Sequence, residues 1–209
     1  MPKICFVESH TYAVLNPEFK GASSGGEAVQ HSLLAREFAN QGWDTSVVCL
    51  DVGNNTYSFG RYFECRQQRI LMSGYLGSIG FGFPAAMGAW AATRDFEAYR
   101  GRKVISVSGD GGFGQYLADF NTAVKFGMDI THILLHNDEL GKISKEQKAG
   151  EWPVWQTSLH NPNFSSYAKL RGGFDVRVKT ANKLEGAMQN ALNFDGPAIV
   201  EIMSDTELI

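Results

Sequence analysis

The 209-residue chain carries 19 Lys+Arg against 22 Asp+Glu, a formal net charge of −3, and 44% of it is apolar. That much apolar material builds a sizeable core and excludes a disordered tail, a collagen-like rod or a disulfide-stapled miniprotein. The near-neutral balance argues against a protein that coats nucleic acid, which carries a strong basic excess.

Strand and helix patterns alternate along the chain. Residues 3–7 read as a buried strand, followed by a Gly/Ser-rich stretch over 8–26 and a helix over 27–41 whose Val29, Leu33, Leu34 and Phe38 share one face. Gly42 stops that helix, and a Val-rich strand covers 45–50. A loop, Gly53-Asn54-Asn55-Thr56, leads into an aromatic stretch with Tyr57, Phe59, Tyr62 and Phe63 to which no element is assigned. A Gly-rich turn over 74–82 precedes an Ala-rich helix over 84–93, and a strand over 104–107 ends in Gly109-Asp110-Gly111-Gly112. A helix over 115–126 and a strand over 130–135 come next. After a polar and aromatic segment come a helix over 164–170, a strand over Phe174–Val178, a helix over 181–192 and a last strand over Ala198–Met203.

Repeated βα units of this length predict an α/β fold, a doubly wound, mostly parallel sheet with helices on both faces. The strand over 3–7 is expected to join it parallel to 45–50, because the intervening helix makes a right-handed crossover natural. Such sheets bind ligands beyond the carboxyl ends of their strands, where the winding direction switches. The loops near 51–56, 109–114 and 136–141 are therefore the places to look.

Three cysteines, Cys5, Cys49 and Cys65, lie far apart with no CxxC pair, so neither a disulfide framework nor a zinc knuckle is expected and the cytoplasm is the simpler compartment. The first apolar run is broken by Glu8 and His10, too early for a signal peptide. No run approaches the ~20 apolar residues that span a bilayer.

Gly109, Gly111 and Gly114 satisfy a loose GxGxxG between strand and helix, the pattern of a dinucleotide site. Asp110 argues against that reading, since its carboxylate would meet a pyrophosphate anion against anion. A divalent cation resolves the conflict: Asp110 binds Mg²⁺ and the metal binds the diphosphate, while the glycines allow close approach. Mg²⁺ asks for a second oxygen ligand from a neighbouring strand end, and Asn137 stands 27 residues after Asp110, one helix and one strand further on. Asp110 also fits as the N-cap of the following helix, and Asn137 as a turn residue satisfying its own backbone.

Gly-Asp-Gly, one helix–strand unit and an Asn at the next strand end resemble the signature of thiamine diphosphate (ThDP) dependent enzymes. From about 51 to 209 the chain resembles the diphosphate-binding domain of the pyruvate oxidase and acetolactate synthase group. Asp51, Gly53 and Asn54 stand where that domain's first strand ends, and Gly77-Ser78-Ile79-Gly80 resembles the loop that meets the cofactor's pyrimidine ring. The resemblance implies that Ile79 props ThDP into a bent shape. It also implies that Asp110, Asn137 and the backbone carbonyl of Glu139 hold Mg²⁺, with Gly109, Gly111, Gly112, Leu140 and Gly141 at the cofactor. Lys148-Ala149-Gly150, Asn163-Phe164 and Asp195-Gly196-Pro197 resemble the quinone-linked pyruvate oxidases in particular.

By this resemblance the chain holds half of an active site. Family enzymes decarboxylate 2-oxo acids with the cofactor as electron sink, and the activating Glu belongs to a separate pyrimidine-binding domain, which these 209 residues do not contain; nor do they contain the domain that carries FAD in the oxidases. A pyrimidine-binding domain or subunit in a homo- or hetero-oligomer is the implied partner, with no nucleic acid and no membrane span. Residues 1–50 fit this family poorly, and Gly25-Gly26-Glu27 with the helix after it resembles the N-terminal βα unit of GT-B glycosyltransferases. The expected domains are thus 1–50 and 51–209, as in a chimera. An inactive scaffold and a sugar-nucleotide binder are the competing readings. Ile79 also reads as plain core, His132 and His136 as packing or surface residues, and Trp152 and Trp155 as a lid, an interface or a surface cluster.

Overall fold

The computed structural model describes residues 46–206. Six strands form one sheet: β1 (Val47–Leu50), β2 (Arg69–Met72), β3 (Val104–Gly109), β4 (Ile130–His136), β5 (Phe174–Val178) and β6 (Ala198–Met203). Their order is β2-β1-β3-β4-β6-β5, and every pair is parallel. Between them run α1 (Asn54–Tyr62), α2 (Gly82–Asp95), α3 (Asp110–Gln115), α4 (Asp119–Lys125), α5 (Gly141–Ala149), α6 (Phe164–Arg171) and α7 (Leu184–Leu192).

Successive strand residues point to opposite faces, and here both faces are apolar. Val48, Ile105, Val107, Ile133, Val200 and Ile202 meet Leu184, Ala187, Met188 and Ala191 of α7 on one side. Val47, Cys49, Val104, Ile130, Leu134 and Ile199 meet Phe83, Ala86 and Ala89 of α2, Phe120 of α4, and Phe164 and Ala168 of α6 on the other. Continuous apolar strands buried on both faces are the pattern a parallel sheet demands. The doubly wound fold read from the sequence is therefore the fold of the described residues.

The differences are local. The predicted helix over 115–126 is two helices, α3 starting on Asp110 and α4 on Asp119, with Tyr116 between them at φ −120°. The Leu117 carbonyl accepts from Tyr167 Oη at 3.1 Å, so a tertiary contact fixes the break. Helix α1 fills the unassigned aromatic stretch, and Phe59 stacks on Phe63 at 4.2 Å, one turn apart. Strand β2 and helix α5 went unread because the first is a mostly exposed edge and the second is largely polar.

Both hydrogen-bonding edges of β1 are taken, by β2 and β3. The place directly beside it that was expected for a strand over 3–7 is thus filled, by a strand that the sequence pattern did not disclose. Residues 3–7 and the helix over 27–41 lie outside the described residues.

Candidate diphosphate and metal site

Chain direction across the sheet reverses between β1 and β3, and a cavity of about 460 Å³ opens beyond the carboxyl ends of the strands there. Its lining includes Gly53, Asn54, Gly77, Ile79, Gly109, Asp110, Gly111, Gly112, Asn137, Glu139, Leu140 and Gly141. Of the residues expected at the site from sequence, Asp51 and Ser78 are outside that lining. The three loops nominated from strand ends therefore converge.

Asp110, 3% exposed, sits in the cavity wall and accepts four hydrogen bonds. Its Oδ2 accepts from the amides of Asn137 (3.3 Å) and Asp138 (2.7 Å) and from Asn161 Nδ2 (2.9 Å), and its Oδ1 from the Gly111 amide (3.0 Å). Burial raises its pKa, against the pull of those backbone donors and of His136. The Asn137 side chain closes a local turn, Oδ1 accepting from the Glu139 amide at 3.1 Å. The Glu139 carboxylate accepts from Ser144 Oγ; it is turned to α5, so the expected ligand at this position is the backbone carbonyl and not the acid.

Four residues that sequence pattern alone did not select stand behind Asp110. His136, 2% exposed, hydrogen-bonds Glu201 Oε1 through Nδ1 at 2.6 Å and Asp138 Oδ1 through Nε2 at 2.8 Å. Asn161 Nδ2 donates to Asp138 Oδ1 as well as to Asp110, at 2.9 Å each. Burial works to lower the His136 pKa, and the bonds to Glu201 and Asp138 outweigh it, holding the imidazole above its ordinary value. The available signal was Glu201, an acid inside the apolar run of β6. One ligand atom each from Asp110, His136 and Asp138 lie within 4.8 Å of one another. The Asn161 amide and the imidazole occupy the space between those carboxylates as donors, so the three form a hydrogen-bonded network already closed by protein groups.

Asp51 turns its side chain away from the cavity, towards the start of α2. Oδ1 accepts from the amides of Val52 and Gly80, both at 2.7 Å, while Oδ2 is buried with no partner. Its carbonyl oxygen takes Asn55 Nδ2 at 3.0 Å and Thr56 Oγ1. Asp51 thus ties the end of β1 to the loop before α2 and the start of α1. Ser78 donates its amide to Ser73 Oγ at 3.1 Å within the same loop.

Residues 51–202 match the family described as "Thiamine pyrophosphate enzyme, C-terminal TPP binding domain". The chain belongs to that family. It is 33% identical over 165 residues to YdaP of Bacillus subtilis (strain 168), a protein described as thiamine pyrophosphate-containing, covering 78% of this chain and 28% of that protein. It is 30% identical over 169 residues to acetolactate synthase isozyme 1 large subunit of Escherichia coli (strain K12), covering 78% and 29%. Against the mitochondrial acetolactate synthase catalytic subunit of Aspergillus candidus the identity is 29% over 167 residues, covering 79% and 23%. The chain spans about a quarter of the length of these curated relatives.

The residues present suit the group that a C-terminal TPP binding domain implies. Asp110 carboxylate, Asn137 amide oxygen and the peptide carbonyl at Glu139 are hard oxygen donors of the kind Mg²⁺ takes. A Cβ on Gly111 would meet Leu140 Cδ2 at 2.9 Å and Leu159 Cδ1 at 3.2 Å, so a larger residue there would push those leucine ends aside. Gly77 has φ +60° and Gly80 φ +91°, which lets the loop bend between them and leaves Ile79 39% exposed at the cavity. A core isoleucine would be covered by protein; this one is free to meet a ligand. Among the described residues no helix is long and apolar enough to cross a membrane.

Proposed function

We propose that this domain binds ThDP by its diphosphate through Mg²⁺, as the diphosphate-binding half of a 2-oxo-acid decarboxylating enzyme similar to pyruvate oxidase and acetolactate synthase. The observation that carries the reading is Asp110 buried at the cavity wall between glycines, within a match to a TPP binding domain. Asp110, Asn137 and the Glu139 carbonyl would hold the metal. Gly109, Gly111 and Gly112 would let backbone approach the phosphates, Leu140 and Gly141 would close the far wall, and Asn54 would face the cofactor across Gly53.

When bound, ThDP supplies an electron sink for decarboxylation. This chain's residues would bind and orient: Asp110 would hold the cation that offsets the diphosphate charge, and Ile79 would support the cofactor at the cavity wall. A pyrimidine-binding domain or subunit completes the site in a homo- or hetero-oligomer, and the substrate class is a 2-oxo acid. FAD, if the enzyme uses it, binds elsewhere. The free Cys49 and Cys65 are consistent with action in the cytoplasm. We assign residues 1–50 to a glycosyltransferase-like segment whose end, Val47–Leu50, is β1 of this domain's sheet, a junction that intact mass and gene sequencing test.

Calorimetric titration with ThDP and with thiamine monophosphate, each with and without Mg²⁺, tests the function. Mg²⁺-dependent heat with ThDP and none with the monophosphate is expected. Equal binding of the two, or binding indifferent to Mg²⁺, contradicts it.

A further inference from the structure

We propose, resting on the ThDP and Mg²⁺ reading above, that Glu201 and His136 are positioning residues for the Asp110 carboxylate, acting through Asp138 and Asn161. Asp138 has φ 59°, a left-handed backbone that Asp and Asn can adopt when their short polar side chains are hydrogen-bonded. In that conformation its amide, with that of Asn137, is aimed at Asp110 Oδ2. What holds Asp138 there is its carboxylate, gripped by His136 Nε2 at 2.8 Å and Asn161 Nδ2 at 2.9 Å.

Behind His136 the chain of contacts ends on rigid parts. Glu201 Oε1 fixes Nδ1 at 2.6 Å, and Oε2 accepts from the Ser165 amide at 3.1 Å and lies 3.5 Å from Arg177 Nε. Glu201 and His136 sit on the adjacent strands β6 and β4, and Glu201 is fully buried. Apolar residues of similar volume would serve the packing of two paired strands at lower cost than a buried acid and imidazole. The network makes sense as a device that delivers three donors to Asp110 Oδ2. The carboxylate plane is then set, and Oδ1, which accepts only the Gly111 amide, is the oxygen with a lone pair left for a cation. Groups standing behind a ligand in this way typically cost about 10–100-fold in metal affinity when removed.

The test uses the full chain with ThDP and Mn²⁺ in place of Mg²⁺, reading free Mn²⁺ by electron paramagnetic resonance, with Tm measured on the ligand-free proteins. His136→Ala and Asn161→Ala are expected to weaken Mn²⁺ binding by about 10–100-fold. Asn161→Ala does so without lowering Tm, because Asn161 lies on a loop and not in the sheet. Asp138→Asn tolerates the left-handed backbone and still accepts both hydrogen bonds, so it is expected to bind Mn²⁺ like the parent while Asp138→Ala does not. Parent-like affinity in His136→Ala and Asn161→Ala overturns the proposal, as does equal loss in Asp138→Asn and Asp138→Ala, which would make charge the operative property. A parent that binds no Mn²⁺ with ThDP overturns the functional reading, and the proposal with it.

Discussion

Gly112 faces the carboxylate of Asp51 so closely that a Cβ there would lie 2.1 Å from Oδ2 and 3.0 Å from Cγ. Asp51 is pinned by Val52 and Gly80 and is 1% exposed, so it has nowhere to retreat. The glycine therefore serves packing between the end of β1 and α3, beyond any part it plays at a ligand. Gly112→Ala is expected to destabilise the protein by about 1–3 kcal/mol, the usual cost of overpacking a closed site. Urea denaturation measures it. Combining the change with Asp51→Ala should recover part of the loss, since the clash is with that side chain.

Asp51 also makes a pH prediction. Burial raises its pKa against the backbone donors of Val52 and Gly80. The folded state thus binds a proton that the unfolded chain has already released, and the contribution of Asp51 to stability falls as pH rises through its folded pKa. Asp51→Asn cannot ionise. It is expected to gain stability relative to the parent on going from pH 4 to pH 7, and denaturation curves at the two pH values check the sign.

His132 acts in the opposite sense. It is fully buried against Phe113 and Phe83, with Nε2 on Ser108 Oγ at 3.1 Å, and burial pushes its pKa down to about 3. Between that value and the ordinary 6.5 the unfolded chain takes up a proton that the folded one refuses, so stability falls as pH drops, by up to about 1.4 kcal/mol per pH unit. His136, with a raised pKa, loses its own contribution as pH rises through it, so the measurement is the difference between parent and variant. His132→Gln should flatten the acid limb of the stability profile. An unchanged slope would mean that this histidine is solvated.

Much of the fold was legible because the apolar strands declare themselves: Phe174–Val178 and Ala198–Met203 match the sequence boundaries residue for residue. The Asp110–Asn137 pair proposed here as a metal site was legible for the same reason, since the two residues directly follow two such strands, β3 and β4. Other parts stayed hidden because they depend on partners distant in sequence. Asn161 reaches Asp110 across 51 residues and Glu201 reaches His136 across 65, distances at which no local pattern operates. Asp51 shows the converse: its position at a strand end fits a binding residue, and only its contact with Gly80 reveals a brace. Edge strand β2 shows no apolar alternation because its faces are largely uncovered, with only Ile70 of its four residues not exposed.

The most direct test of ThDP binding through Asp110 is a thermal-shift titration with ThDP, in Mg²⁺ or in chelator, on the parent and on Asp110→Ala. Binding to the folded state alone raises Tm by mass action, about 2.7 kcal/mol of stabilisation at a hundredfold excess over Kd. The expected result is a rise that requires Mg²⁺, is abolished by chelator and is lost in Asp110→Ala while that variant still melts cooperatively. A rise of equal size in Asp110→Ala, or in chelator, would contradict a diphosphate held through a metal on this carboxylate.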